Sequence, residues 1–396
     1  MRGKSTAVLL GSLYFSQGLP FGFFTQALPV MLRQRGWALG EIGLSSLLAL
    51  PWALKFLWAP VIDRHWLPQV GRRRSWILPL QALAVTILAA LVTAGTGSLV
   101  VLMTAVFLLN LVAATQDIAT DGLAVDLVTP AQRGLANGLQ VAGFRVGMIA
   151  GGGLLLAFCD RLGARLTFLA LAALMALATL PVAVTREPSG TVVPEQGARA
   201  RHFLRRPGAR RLLALIIAYK AGDAFATGML RPFLADAGLT LADIGWLLGT
   251  VGFVAGLVGA LCGGVLVNRL GRRRALLVFG GLQAATVAGY AALAWAHPPR
   301  ALLYLLCGAE HFAGGTATAA LFTCMMDWCR PESSATDYTV QASAVVVATG
   351  LASALSGFSA QALGYGAHFV LAALLSLAAL VMVRRCFPAR EESRCA

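Results

Sequence analysis

From Leu99 the chain reads LVVLMTAVFLLNLVAA, and runs of this kind recur along its whole length. About 20 consecutive apolar residues cross a bilayer as a helix, and this repetition constrains the fold more than any other feature. Twelve such spans are predicted: 6–32, 41–62, 76–95, 98–125, 135–158, 165–184, 212–235, 241–267, 275–296, 301–326, 336–362 and 366–384. Charged residues make up only 12% of the chain, against roughly 25% in soluble domains. Mean hydropathy is +0.74. The expectation is an all-α, multi-pass integral membrane protein whose constant partner is the lipid bilayer.

The net charge of +15 would suggest nucleic acid in a soluble chain, but its distribution says otherwise. With both termini inside, the inner segments hold 23 of the 32 Lys and Arg residues, the outer loops 5 and the spans 4. Cations gathered on the inner loops follow the positive-inside rule, so membrane topology accounts for the charge and no nucleic-acid partner is expected. In a bacterium this topology implies the inner membrane, with cytoplasmic termini. The basic start MRGK leads into an apolar stretch too long for a signal peptide and reads as the first span. The seven cysteines show no paired spacing and read as small packing residues, with no metal and no cofactor implied. Gly143, Gly147 and Gly151, four apart on the fifth span, mark a face where helix backbones pack closely.

The chain also repeats itself. GEIG at 40–43 opens the second span and ADIG at 242–245 the eighth. Asp63-Arg64 precedes GRRR at 71–74, and Asn268-Arg269 precedes GRRR at 271–274. Equivalent motifs at equivalent places imply two parallel six-helix halves: 1–184 and 212–396, joined by a polar linker at 185–211. The twelve helices would then form two pseudo-symmetric bundles.

These residues resemble the major facilitator superfamily, whose signature between the second and third spans is G-x-x-x-D-R-x-G-R-R. Here Ala59 replaces the leading Gly, and six residues separate Arg64 from Gly71. The second half keeps the compact spacing with Asn268 for the acid. The resemblance implies gating roles for Asp63, Arg64, Arg72 and Arg269, and a monomer. A narrower match at KFLWAPVIDR, ATQDIATDGLAVD, RGLANGLQVAGFRVGM, YKAGDAFA and SATDYTVQASA resembles the AmpG muropeptide permease and acetyl-CoA transporter branch. It implies a secondary active transporter, proton-coupled in its bacterial members, carrying an anionic solute such as an anhydromuropeptide. Its alternative is acetyl-CoA or a related nucleotide-linked acid.

Ionisable residues at bilayer depth are costly and mark function. Gln17, Arg145 and Asp223 lie roughly 16 Å inside their spans on a helical rise; Glu310 and His311 approach the same depth from the other side. Lys55 and Lys220 lie nearer the inner edge. Lys220 and Asp223 are three apart, as a substrate or proton site or as a structural ion pair. Arg145 can fork onto a carboxylate or phosphate, or pair with Asp117 or Asp121. The expected substrate-binding set is thus Gln17, Lys55, Arg145, Lys220 and Asp223, lining one wet pocket. Glu310 is the first candidate for the proton carrier, with Asp223 and Asp117 behind it; His311 is read as a packing residue or a titrating one. Asp117 and Asp121 share one face of the fourth span and Asp126 follows near its inner end. Asp121 and Asp126 are expected to latch onto GRRR and Arg133, with Asp117 between gate and proton path.

Two other classes compete. A membrane acyltransferase needs a nucleophile or a His–acid pair near the membrane face, and His65 and His202 show no such arrangement. A receptor without transport has no need of buried ionisable residues in both halves. No G-x-x-x-x-G-K-[ST] loop is present, so ATP does not drive the process directly.

Overall fold

The computed structural model describes residues 3–37, 45–94, 98–187, 200–296 and 299–386. The GEIG motif at 40–43 and most of the first part of the linker lie outside these residues. Among the described residues the regular structure is helical, which satisfies backbone groups within each segment where lipid offers no partner.

Helix α1 (Gly3–Gly22) runs through a π turn (Phe23–Ala27) into α2 (Leu28–Gln34). The second span is broken. It consists of a 3₁₀ turn (Ser45–Ala49), α3 (Leu50–Leu54), a second 3₁₀ turn (Lys55–Leu57) and α4 (Ala59–Arg64). Pro51 and Pro60 stand in the first turns of α3 and α4, where their missing N–H groups are tolerated but a continuous ladder is not. Next come α5 (Arg74–Ala94), α6 (Leu99–Leu127), α7 (Arg133–Ile149) and, after another π turn, α8 (Leu155–Val184). Ser98 caps α6 by accepting from the Val101 N–H.

The linker expected over 185–211 is partly helical. It contains α9 (Ala200–Arg205), and α10 (Ala209–Gly228) already begins at its end. Then follow α11 (Leu230–Asp236), α12 (Leu241–Trp246), a π turn, α13 (Gly252–Leu270), α14 (Arg272–Trp295), α15 (Arg300–Asp327) and α16 (Ser334–Cys386). The ADIG motif has a local cause: Thr240 and Asp243 form a reciprocal capping box at the start of α12.

Eight helical stretches among the described residues are long and apolar enough to cross a membrane. One, Pro331–Arg385, has 55 residues, far beyond a single bilayer crossing, and breaks at Gly364, where φ is +76°. The expected eleventh and twelfth spans lie on either side of that break. Gly163, φ +75°, makes the equivalent break within α8. Only glycine adopts these backbone angles without strain.

The chain forms two compact units that do not follow the two sequence halves throughout. Unit 1 comprises Met1–Val128, Ala142–His202 and Trp328–Ser343; unit 2 comprises Thr129–Val141, Phe203–Asp327 and Ala344–Ala396. Each unit therefore includes a short segment from the opposite half of the sequence, taken from the chain between its fourth and fifth, or tenth and eleventh, expected spans.

Within unit 1, α1 and α7 pack backbone against backbone. A Cβ on Gly147 would stand 2.2 Å from Phe15 O, on Gly18 2.1 Å from Phe144 O, and on Gly151 1.9 Å from Leu19 O. The glycine face expected on the fifth span is thus a contact with the first. Unit 2 repeats the device between α13 and α15, where Cβ atoms on Gly259 and Gly315 would stand 2.2 Å from Phe312 O and 2.3 Å from Gly256 O. Such approach gains dispersion contacts where lipid supplies no hydrophobic drive. Gly147→Ala is expected to destabilise the detergent-solubilised protein by about 1–3 kcal/mol, as for other overpacked sites. Gly350→Ala, whose Cβ would meet nothing within 4 Å, should leave thermal unfolding unchanged or raise it slightly.

Candidate functional site

Each unit holds a layer of buried polar groups and a cluster of charge, which follows the broken second span in unit 1 and α13 in unit 2.

In unit 1, Lys55 is only 2% exposed and its ammonium is ion-paired with Asp117. The Lys55 Nζ also lies 5.6 Å from the centre of the Trp52 ring, a cation–π contact. One turn along α6, the fully buried Asp121 accepts a 2.9 Å hydrogen bond from the Tyr14 hydroxyl and stands within hydrogen-bonding reach of Asp117. Gln81 and Gln116 both donate to Ser16 Oγ at 3.0 Å, and Trp52 Nε1 donates to Asn110 at 2.9 Å. Beside them Phe21 packs against Trp52 and Phe144, each at 5.4 Å between ring centres. Gln17 differs from these hydrogen-bonded groups. It is 1% exposed, and neither its Oε1 nor its Nε2 has a partner among the described residues. A buried amide left so costs about 1–3 kcal/mol, which a hydrogen-bonding solute or water relieves. Arg145 is half-buried on α7, next to Phe144.

In unit 2, Lys220 Nζ donates to Asp223 at 3.1 Å and to Thr318 Oγ1 at 3.3 Å. Both charged side chains keep some exposure, 13% and 15%. Glu310 is buried, with Oε2 2.7 Å from His311 Nδ1. His311 Nδ1 also lies 3.0 Å from Cys307 O. A Cβ on Gly252 would stand 2.6 Å from the His311 ring, so that glycine makes room for the imidazole. Gly314 leaves a gap bordered by Gln283 Nε2 and Glu310 Oε1, 3.5 and 3.7 Å from where its Cβ would be.

The charged ring in unit 1 centres on Asp63 and Arg73, both fully buried. Asp63 Oδ1 receives Arg72 at 3.1 Å and Arg73 at 2.8 Å. Its other oxygen accepts from the Thr336 N–H at 2.7 Å and the Thr336 hydroxyl at 2.5 Å, capping the first turn of α16. Arg73 reaches Asp126 at 3.0 Å and Ser334 Oγ at 2.7 Å; Ser334 in turn donates to Asp126 at 2.5 Å. Arg72 donates to the carbonyls of Pro331 and Glu332. Burial works against the charge on Arg73, and the carboxylates of Asp126 and Asp63 more than offset it, holding the group above the ordinary arginine range. Glu187 closes the base of the loop by accepting from the N–H groups of Arg73 and Arg74, at 2.9 and 2.5 Å from Oε1.

Unit 2 carries the counterpart with different chemistry. Arg272 donates to Asp327 at 2.7 Å, to Asn268 Oδ1 at 3.0 Å and to Pro130 O at 3.1 Å. Arg133 donates to Asp327 at 2.7 Å. Asp63 accepts from a backbone N–H; Asn268 instead donates to a backbone carbonyl, Ala131 O, at 2.7 Å. The acid-to-amide exchange between the two repeats therefore reverses the direction of the backbone hydrogen bond.

Several expected roles change. Asp121, expected on the GRRR loop, lies in the buried layer with Tyr14 and Asp117; Asp126 meets Arg73. Arg133 meets Asp327 rather than Asp121 or Asp126. Lys55 pairs with Asp117. Arg269 is exposed in the last turn of α13, and Arg272 makes the contacts expected of it. Arg64, half-buried at the end of α4, gives way to Arg72 and Arg73 as the partners of Asp63. Arg73, Glu187, Tyr14, Ser334 and Thr336 were missed. Gly122, directly after Asp121, makes room for Arg73: its Cβ would stand 2.8 Å from Arg73 Cζ. Among the described residues no group of three or more His, Cys, Asp or Glu is placed to hold a metal ion.

The profile of the Major Facilitator Superfamily matches residues 10–307 and 212–394. The chain belongs to that superfamily. It is 32% identical over 401 residues to the anhydromuropeptide permease of Escherichia coli strain K12, covering 98% of this chain and 81% of that one. It is 26% identical over 385 residues to the putative transporter AmpG 4 of Rickettsia felis, covering 92% of each. Among solved structures, the fold is similar to the major facilitator transporter FucP in its outward conformation, with TM-score 0.76, 15% identity and coverage of 97% and 99%. It is also similar to the human organic anion transporter MFSD10, with TM-score 0.73, 15% identity and coverage of 96% and 98%. This major facilitator protein is a multi-pass membrane transporter of the AmpG-like branch rather than an enzyme, and it has the fold of major facilitator transporters.

Arg73→Gln removes the fully buried cation shared by the buried Asp63 and the more exposed Asp126 and is expected to cost about 3–5 kcal/mol, the range for breaking a buried ion pair. Arg269→Gln, at an exposed position, is expected to change stability by less than about 0.5 kcal/mol. Thermal or chemical unfolding of the purified variants measures both.

Proposed function

We propose that this transporter imports an anhydromuropeptide together with protons, from a bacterial inner membrane in which both termini face the cytoplasm, by alternating access. The observation that carries this reading is the 32% identity to a permease of that name across 98% of the chain. The side chains suit such a cargo. Muropeptides carry carboxylates, for which Lys55, Arg145 and Lys220 offer cations, and sugar and amide groups, for which the unpartnered Gln17 amide offers both a donor and an acceptor. Lys55 and Lys220 already hold Asp117 and Asp223. An incoming carboxylate competes with those aspartates, and an aspartate that loses its cation in a low-dielectric site favours taking up a proton. Substrate and proton binding are linked through this exchange. Glu310, buried with one oxygen against His311 and the other facing the gap at Gly314, is the proton carrier of unit 2; Asp117, between Lys55 and Asp121, is the candidate in unit 1.

The test is uptake into proteoliposomes of labelled anhydromuropeptide and, separately, of labelled acetyl-CoA, with and without an inward proton gradient. The expected result is gradient-stimulated uptake of the muropeptide and none of acetyl-CoA; the opposite selectivity overturns the substrate assignment. Glu310→Gln should reduce gradient-driven uptake to the level seen without a gradient, while exchange of substrate across the membrane persists. Gradient-driven uptake by Glu310→Gln at the wild-type rate removes Glu310 from the proton path.

A further inference from the structure

A basic cleft lies outside every group used so far. Between Glu195 and Asp223 the chain contains no acidic residue, yet Arg199, Arg201, Arg205, Arg206, Arg210 and Arg211 fall within that stretch. Short helix α9 is held by Phe203, which is fully buried, with the Arg206 guanidinium 5.9 Å from its ring centre. After Pro207 the chain turns at Gly208, where φ is +84°, and α10 begins. The turn is closed by hydrogen bonds from Arg206 N to Phe203 O and from Ala209 N to Arg206 O, both 3.1 Å. Arg205 and Arg206 on one side of the turn and Arg210 and Arg211 on the other thereby line a single cavity of about 500 Å³, together with Leu204 and Gly208.

Two further facts bear on what enters it. The membrane-crossing stretch begins at Ala209, so Arg210 and Arg211 stand in its first turn, at the depth of the lipid headgroups. Neither Arg205 nor Arg210 has a carboxylate partner among the described residues, and both are exposed. Like charges gathered around one cavity repel each other, and a phosphate dianion relieves that repulsion while matching the forked donors of Arg205 and Arg210. The volume exceeds the need of a bare phosphate, since a water occupies about 30 Å³ of liquid. Leu204, 41% exposed, adds apolar surface to the wall.

We propose that this cleft is a binding site for the headgroup of an anionic phospholipid, with Arg205, Arg206, Arg210 and Arg211 on its phosphates. A lipid held there ties α9, and with it the second part of the interdomain linker, to the membrane surface. The site is independent of the transported solute.

The test uses full-length protein in nanodiscs of phosphatidylcholine containing a minor fraction of diphosphatidylglycerol, released and examined by native mass spectrometry. Wild type is expected to retain diphosphatidylglycerol over phosphatidylcholine. Arg205→Gln/Arg210→Gln is expected to weaken that retention by about 10- to 30-fold, the effect of two surface arginines on anionic lipid. The double variant Arg384→Gln/Arg385→Gln, which removes the same charge from the end of α16, should change it by less than about twofold, because those residues lie outside the cavity. Equal loss in both double variants, or loss in neither, overturns the proposal. Displacement of the lipid by excess inorganic phosphate also overturns it, assigning the cleft to a soluble anion instead.

Discussion

An ionised side chain inside a hydrocarbon layer must find an opposite charge or a proton, and the arrangement of this transporter follows from that constraint. Stripping an ion of water costs several kcal/mol even after relaxation. Lys55 answers it with Asp117, Lys220 with Asp223 and Thr318, and Arg73 with Asp63 and Asp126. Each pairing fixes a neighbouring element. Asp63 can cap α16 because Arg72 and Arg73 hold it in place; Arg73 can sit fully buried because Gly122 has no side chain to occupy its space. The glycine contacts between α1 and α7 and between α13 and α15 supply the close packing that lets so few polar groups be enclosed.

The same constraint separates scaffold from working parts. In the Asp63–Arg73–Asp126 cluster each charged group has several partners, Ser334 and Thr336 among them. Gln17 has no partner for either side-chain polar atom among the described residues, and in the proposed mechanism an incoming carboxylate displaces Asp117 from Lys55 and Asp223 from Lys220. A transporter needs both kinds of site: closed networks that hold one arrangement firmly, and open ones whose partners exchange when the cargo arrives.

The helices and their apolar runs were legible because membrane crossing imposes length and hydropathy on every span. So were the glycine face of the fifth span and the Lys220–Asp223 pair, both set by helical periodicity. The broken second span was only half legible. Pro51 and Pro60 were visible, but whether neighbouring helices preserve the helix around a proline depends on tertiary contacts. Asp121 was misplaced for a related reason: periodicity put it on one face with Asp117, and the choice between loop and core depended on Tyr14, 107 positions away in sequence. Arg73 and Arg272 were hidden within runs of identical arginines, where sequence gives no reason to prefer one guanidinium over its neighbour. Glu187 looked like ordinary linker charge because its role is to cap backbone N–H groups of a loop more than a hundred residues earlier.

Central to the proposed mechanism is a Lys55–Asp117 ion pair that is balanced but exchangeable. The direct measurement is a double-mutant cycle on Lys55→Met and Asp117→Asn, reading thermal stability and proteoliposome uptake of all four proteins. The account predicts that each single variant is destabilised by an uncompensated polar group, that the double variant recovers stability by at least about 1 kcal/mol relative to additivity, and that it still fails to transport. Additive stability losses, or wild-type uptake by the double variant, would contradict it.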